Sequence, residues 1–415
     1  MGLNRRQFIH GAAAAGAMLG FPAIVNAQAG GPIRLGLLTV KTGPLASGGL
    51  DMERALVMFL KENGNMLAGR KVELIVADSA GVPATARTKL QELVEKNKIH
   101  ALSGPLAAFE ALATDDYIRQ QQIPTMSVAA AEDMTQRKPN PWFVRASATS
   151  AQSSMPMADY CLKQLKWKRA VVIADDIAYG HEQCAGFLRV FEDGGGKVVQ
   201  RMFPPLTVPD YGSYLAQLKT NVDGVFFGFA GSNGFRFLRQ LNEFGLKGKL
   251  GLAGGHSALD ESVLRNMGDE GLGIYTACPY SAELDNPINK RVAAAFRAEF
   301  KYDPGFYAMA DYVNGEIFKS AVEAVKGKVE DKPALMKALR ATNIPTMRGP
   351  VKFDEYGNIV GDMYIRQVVR KEGRLVNRVV HTYTNASQFW TYDPKEFLKN
   401  PVYSRDWPPA KNLES

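Results

Sequence analysis

The chain has 415 residues and a mass of 45.4 kDa, which at about 150 residues per domain predicts two or three domains. Its 46% apolar and 22% charged residues can build full cores, excluding a disordered chain, a collagen and a small disulfide scaffold. The formal charge of +8 comes from dispersed Lys and Arg without aromatic-interleaved patches or zinc-finger spacing, so nucleic acid is not an expected partner.

Residues 1–27 read as an export signal. Asn4-Arg5-Arg6-Gln7-Phe8-Ile9 carries paired arginines, an apolar run extends from Gly11 to Val25, and Val25-Asn26-Ala27 offers small residues for cleavage. The twin arginine points to the Tat route for folded proteins. A plain Sec signal or a retained anchor is the alternative, although the run is short for a span. Cleavage after Ala27 removes Arg5 and Arg6 and lowers the charge from +8 to +6. The mean hydropathy of −0.17 excludes a polytopic membrane protein.

Strands and helices then alternate. Ile33–Val40 reads as a strand, Gly49–Glu62 as a helix, Lys71–Ala77 as a strand and Ala84–Glu95 as a helix. A strand at His100–Ser103, a helix at Ala107–Gln120 and a strand at Pro124–Val128 follow. Asp133–Pro141, with Lys138-Pro139-Asn140-Pro141, breaks the rhythm and reads as a crossing between lobes. The alternation restarts with a helix at Ala151–Leu165 and strands at Arg169–Ala174, Lys197–Met202, Gly224–Phe229, Leu250–Ala253 and Ile274–Cys278. Helices separate these strands, and those at Pro287–Phe300, Phe306–Val325 and Lys332–Ala341 follow. The β-rich segments Val351–Phe353, Asp362–Arg370 and Leu375–Tyr383 come last. The tail from Asp393 has no clear period and either wraps a surface or frays. Repeated βα units predict an α/β protein of two doubly wound, parallel-sheet lobes, with function in the loops beyond the strand C-termini.

Few motifs carry chemistry. Thr42-Gly43-Pro44 follows the first strand where a dinucleotide fold would place G-x-G-x-x-G, and there is no Walker loop, so no cofactor is expected. Ala230-Gly231-Ser232-Asn233-Gly234 nearly matches a nucleophile elbow. A ligand-contacting loop or a plain turn explains its composition equally well. His181-Glu182-Gln183-Cys184 lacks the i, i+4 histidine pair of a helical metal site, so no metal is expected. Asp175-Asp176 lies in the loop after a strand and borders any cleft. Three cysteines (Cys161, Cys184 and Cys278) leave at least one outside any intrachain disulfide, and buried small hydrophobes are the plainer reading.

An ordered set of short motifs then carries a resemblance. Thr42-Gly43-Pro44-Leu45-Ala46 follows the first strand, Gly104-Pro105 the third, and Ile123-Pro124 with Ser127 marks the fourth. Asp175-Asp176-Ile177-Ala178-Tyr179-Gly180 and Gly349-Pro350-Val351-Lys352-Phe353-Asp354, with Gly357-Asn358, complete the series. Together they resemble the type I periplasmic binding proteins of ABC importers, in the leucine/isoleucine/valine-binding branch, from residue 32 to about 385. The resemblance implies two lobes joined by three crossings, with a solute clamped in the cleft and no catalysis. Lobe 1 is then 28–145 plus about 280–345, lobe 2 is 146–279 plus about 346–385, and 386–415 is a C-terminal extension. An inner-membrane ABC permease is the implied partner and the periplasm the implied location.

The resemblance also speaks of the ligand. Amino-acid binders of this branch hold the α-carboxylate with hydroxyl side chains at positions that here are Ala108 and Ala131, in Pro105-Leu106-Ala107-Ala108-Phe109 and Ala129-Ala130-Ala131. The acid that meets the ammonium has His256 as its nearest counterpart, in Gly254-Gly255-His256-Ser257. A buried ammonium without a carboxylate is costly, whereas histidine donates to a carboxylate. The tyrosine that often closes the small pocket is replaced by Gly48, and the branch's cysteine pair by Gly81 and Ala107. Phe109, Tyr179, Phe229 and Tyr307 are expected as aromatic walls, Tyr179 and His256 as polar contacts, and backbone N–H groups of Ala129–Ala131 as carboxylate donors. The expected solute is a small carboxylated, aromatic or otherwise apolar compound. A branched-chain amino acid or an amide is the alternative, and an exported hydrolase using Ser232 the remote one.

Overall fold

In the computed structural model, which describes residues 30–414, the first sheet forms from short runs that are buried on both faces. β1 (Ile33–Thr39) is buried along almost its whole length, as expected for a central parallel strand. Around it lie β2 (Met66–Leu67), β3 (Arg70–Asp78), β4 (Ala101–Ser103), β5 (Thr125–Ser127) and β6 (Phe143–Arg145), in the order β2-β3-β1-β4-β5-β6. Only β2 runs antiparallel to its neighbour.

The second sheet begins with β7 (Arg169–Ala174), β8 (Lys197–Met202), β9 (Gly224–Gly228), β10 (Gly251–Gly254) and β11 (Tyr275–Cys278). A hairpin of β12 (Asn343–Thr346) and β13 (Gly349–Lys352) stands apart. β14 (Gly361–Lys371) and β15 (Arg374–Ala386) then close the sheet in the order β15-β14-β11-β10-β9-β7-β8. The sheet is therefore mixed rather than purely parallel, because β14 pairs antiparallel to β11 and β15 antiparallel to β14. The two-residue turn Glu372-Gly373, with φ of 50° and 77°, is the left-handed geometry that a tight hairpin requires. Alternation along β9 sends Phe226 to one face, stacked 4.4 Å from Phe187, and Phe227 to the other, beside Phe237.

One expected crossing moves. Asp133–Pro141 does not leave the first lobe, since Glu132–Thr135 forms a 3-10 turn and β6 returns to pair with β5. Three residues are too few to show a period, so β6 was invisible in the sequence pattern. The chain crosses at 146–149, at 279–286 and at 353–360. The crossings are stitched together by side chains. Arg145, fully buried, donates from Nε to the Ala129 carbonyl at 2.6 Å and from Nη1 to Asn358 Oδ1 at 2.8 Å. Arg348 donates to the Ala146 and Ser147 carbonyls.

The C-terminal segment wraps rather than frays. Phe389, Phe397 and Tyr403 are buried against lobe 2, and the Arg189 guanidinium lies 3.9 Å from the Tyr392 ring. The Glu414 N–H donates to the Val199 carbonyl at 3.0 Å, on edge strand β8. Among the described residues no helix is long and apolar enough to cross a membrane.

Candidate functional site

The C-terminal ends of both sheets face one another across a cleft, and a cavity sits between them. Lobe 1 supplies Leu45, Leu106, Ala107, Ala108, Val128 and Ala130, with Phe306 and Tyr307 from the first turn of the helix Phe306–Ala324. Lobe 2 supplies Ile177, Tyr179, Ala230 and His256. The lining is apolar apart from two phenols and one imidazole, and it holds no carboxylate, lysine or arginine.

Local structure explains these placements. Ala108 begins the helix Ala108–Gln121. The Ala107 N–H donates to Glu110 Oε2 at 3.1 Å, while the Ala108 and Phe109 N–H groups have no acceptor among the described residues. The Ala130 N–H has none either, so unpaired donors meet the positive end of a helix dipole at one wall. Such a wall suits an anion.

The opposite wall is built on the loop after β10. His256 is buried, its Nδ1 lies 2.9 Å from Ser153 Oγ and 3.3 Å from Gln183 Nε2, and its Nε2 has no partner among the described residues. Burial lowers its pKa to about 3, with the Arg366 charge acting in the same direction, so the ring is neutral. The Tyr179 ring meets the His256 ring edge-on at 5.2 Å, and Ser257 Oγ donates to the Tyr179 hydroxyl at 2.7 Å. Burial pushes both the Tyr179 and Tyr307 hydroxyls far above their ordinary range, so both remain neutral donors.

The lobes already touch across this cavity. Gly231 adopts φ +56°, and a Cβ there would lie 2.1 Å from the Pro44 carbonyl oxygen. The Ser232 N–H donates to that same carbonyl at 3.2 Å. Ser232 thereby contributes a backbone contact, and its hydroxyl bonds no histidine among the described residues. On the far side Asp260 Oδ2 accepts the Phe306 N–H at 2.6 Å.

A profile for periplasmic binding proteins matches residues 32–374. The chain belongs to this family. An ABC transporter substrate-binding protein from Sphaerobacter thermophilus is 32% identical with a TM-score of 0.80, over 86% of this chain and 99% of that chain. A solute-binding protein of an ABC transporter from Rhodopseudomonas palustris BisB5, solved in complex with 3,4-dihydroxybenzoic acid, is 30% identical with a TM-score of 0.82, over 86% and 98%. The Leu/Ile/Val-binding protein homolog 6 of Brucella abortus (strain 2308) is 26% identical over 359 residues, 85% of this chain and 91% of that protein.

In this periplasmic binding protein, four of the residues singled out in the sequence meet at the cavity: Ala108, Tyr179, His256 and Tyr307. Five do not line it. Phe109 turns its ring into the lobe 1 core. Ala129 and Ala131 flank the lining residue Ala130 and present their carbonyls to Arg145, and the Ala129 N–H is taken by Ser127 Oγ at 3.0 Å. Phe229 is fully buried, 5.3 Å from Tyr211 and 4.8 Å from Phe237. Gly48 opens space that the Tyr307 ring fills, and a Cβ there would lie 2.7 Å from that ring.

The sequence reading missed Phe306 and Asp260, while of the Ala129–Ala131 segment it is Ala130 that reaches the cavity. Gly305 directly before Phe306-Tyr307 was the available signal for a helix start at the cleft. Asp260 stands four residues after His256 and does not line the cavity; its Oδ2 accepts the Phe306 N–H at 2.6 Å and its Oδ1 the Ser262 N–H at 2.9 Å. Asp175 does not line the cavity; it is buried, accepting the Ala230 N–H at 2.9 Å and an Asn233 Nδ2 hydrogen at 2.6 Å. Cys161, Cys184 and Cys278 are free and buried, and burial raises all three thiols. No metal-holding group of three or more ligands occurs among the described residues. The expected signal peptide lies outside them.

Proposed function

We propose that this protein is the solute receptor of an ABC importer and that it clamps an aromatic carboxylate between its lobes. The observation that carries the reading is the cavity's polar inventory: donors from Ala108, Ala130, Tyr179 and His256, and no carboxylate on the lining. An amino acid would bury an unpaired ammonium there, at a cost of several kcal/mol. A benzoate-type acid brings only acceptors and a flat apolar face, which Phe306, Tyr307 and Tyr179 suit. Relatives solved with 3,4-dihydroxybenzoic acid and with benzoate, 30% and 27% identical, support the same class.

The side chains of Ala108, Tyr179, Tyr307 and His256 form the contact set in this reading, with Phe306 and Ala130 added. Ligand closes the lobes about the three crossings, and the closed form is what a membrane permease recognises. Residues 1–27, with Arg5-Arg6, direct the chain to the periplasm by the Tat route and are cleaved near Ala27. Lobe boundaries near 145, 280 and 353–360 follow, the last later than the 345 expected because Met347 and Val351 pack in the lobe 1 core, with 386–415 as an added strap on lobe 2.

The test is a thermal-shift titration of residues 28–415, refolded to remove carried-over ligand, with benzoate, 4-hydroxybenzoate and leucine. A ligand at 100 times its Kd adds about 2.7 kcal/mol to stability. Stabilisation by the benzoates alone is expected. Stabilisation by leucine alone would overturn the ligand class.

A further inference from the structure

Behind the cavity wall, a chain of hydrogen bonds decides which ring nitrogen of His256 carries its proton. Gln183 Nε2 lies 2.7 Å from the Ser150 carbonyl oxygen, an atom that only accepts, so the amide NH2 must face it. That fixes the amide orientation, which distance alone would leave ambiguous. The same Nε2 lies 3.0 Å from Ser153 Oγ and 3.3 Å from His256 Nδ1. Its two hydrogens go to the nearer acceptors, the Ser150 carbonyl and Ser153 Oγ, which leaves the Ser153 hydroxyl hydrogen for Nδ1. Ser153 Oγ, 2.9 Å from Nδ1, then completes a relay in which Gln183 donates to Ser153 and Ser153 donates to the ring. A proton on Nδ1 would turn the Ser153 hydroxyl to its longer alternative, the Ser150 carbonyl at 3.2 Å, which already accepts from Gln183 at 2.7 Å.

We propose that Gln183 and Ser153 are positioning residues that lock His256 as its Nε2–H tautomer, so the ring offers the solute a donor and never an acceptor. The inference rests on the reading of the cavity as the solute site. It sharpens that reading, because the group meeting Nε2 must be an oxygen with a free lone pair, such as a carboxylate, a carbonyl or a phenolic oxygen. An ammonium or an amide NH2 at that point is rejected. Burial keeps the ring neutral at working pH, so its tautomer rather than its charge sets the polarity. Gln183, Ser153 and Ser150 are all buried, which shields the relay from water.

Nitrogen-15 NMR of the histidine-labelled full chain without ligand reads the tautomer directly, His256 being assigned by its loss in His256→Gln. The expected wild-type spectrum shows a protonated Nε2 and an unprotonated Nδ1. A wild-type ring protonated at Nδ1 overturns the inference, whatever the variants do. In Ser153→Ala with Gln183→Leu, the Nδ1–H form should gain population and the benzoate Kd should rise at least 10-fold. An unchanged tautomer and an unchanged Kd in that double variant would show that the two residues position nothing. If the wild type shows Nε2–H but binds no benzoate, the lock stands and the ligand class proposed above falls.

Discussion

The Asp260 carboxylate of lobe 2 accepts the Phe306 N–H of lobe 1 at 2.6 Å, at the first turn of the helix that supplies two walls of the cavity. Its other oxygen caps the short helix Glu261–Leu264 through the Ser262 N–H. One side chain therefore joins a lobe 2 cap to a lobe 1 helix start, in the position of a latch on the closed form. Gly305 beside it leaves no room for a Cβ, which would lie 2.3 Å from Asp260 Oδ2.

Asp260→Ala should loosen that latch. A hydrogen bond to a charged group contributes about 1.5–3 kcal/mol, and the lost cap about 1 kcal/mol more. The benzoate Kd should rise about 10-fold, the equivalent of 1.4 kcal/mol. Calorimetry and urea unfolding would check both, and unchanged values would show that Asp260 holds nothing across the cleft.

Gly231→Ala tests closure itself. The residue sits at φ +56°, and its added Cβ would strike the Pro44 carbonyl of the other lobe at 2.1 Å. Neither lobe's core is touched, so urea unfolding should shift by about 1 kcal/mol, the cost of the strained φ. Ligand affinity should fall much further, because the closed form is blocked. Small-angle scattering with saturating benzoate should show an opened molecule, and a closed profile with wild-type affinity would contradict the account.

Asp311 predicts the direction of one pH effect. It is buried in lobe 1 with a pKa raised to about 7 by burial, while Ser103 Oγ donates to Oδ1 at 2.6 Å and Oδ2 has no partner. The folded pKa lies above the ordinary carboxylate value of 3.8. Its contribution to stability is therefore fully present below about pH 4 and is lost as pH rises through about 7. The slope reaches up to about 1.4 kcal/mol per pH unit. Asp311→Asn should flatten the urea-unfolding stability between pH 4 and 8, and an unaltered slope would show that Asp311 does not hold the proton.

Phe397→Ala probes the C-terminal strap. The ring is 1% exposed, lies 5.3 Å from Phe389 and 5.5 Å from Tyr403, and carries the Arg189 guanidinium at 4.9 Å. Removing a buried Phe costs about 3–5 kcal/mol. A loss near 3 kcal/mol in urea unfolding is expected, and a loss under about 0.5 kcal/mol would mean that the segment is loosely held.

Alternating βα rhythm and the ordered short motifs determined the lobes, most element bounds and the family, because parallel strands and their covering helices leave a local apolar period. Arg169–Ala174 and Pro287–Phe300 could be read to the residue for that reason. The same local reasoning placed Tyr179 and His256 in loops beyond strand C-termini, where a cleft must lie. It could not say which aromatic faces inward. Phe229 and Tyr307 look alike in sequence, but one packs on Tyr211 and Phe237 while the other fills the space above Gly48. β6 stayed hidden because three residues carry no period, and Phe306–Asp260 because its partners are 46 residues apart in different lobes. Which nitrogen of His256 faces the cavity was set by Ser153 and Gln183, from two helices that only folding brings beside the β10 loop. Side-chain direction and proton placement depend on neighbours distant in the chain, and those neighbours exist only once the two lobes have formed.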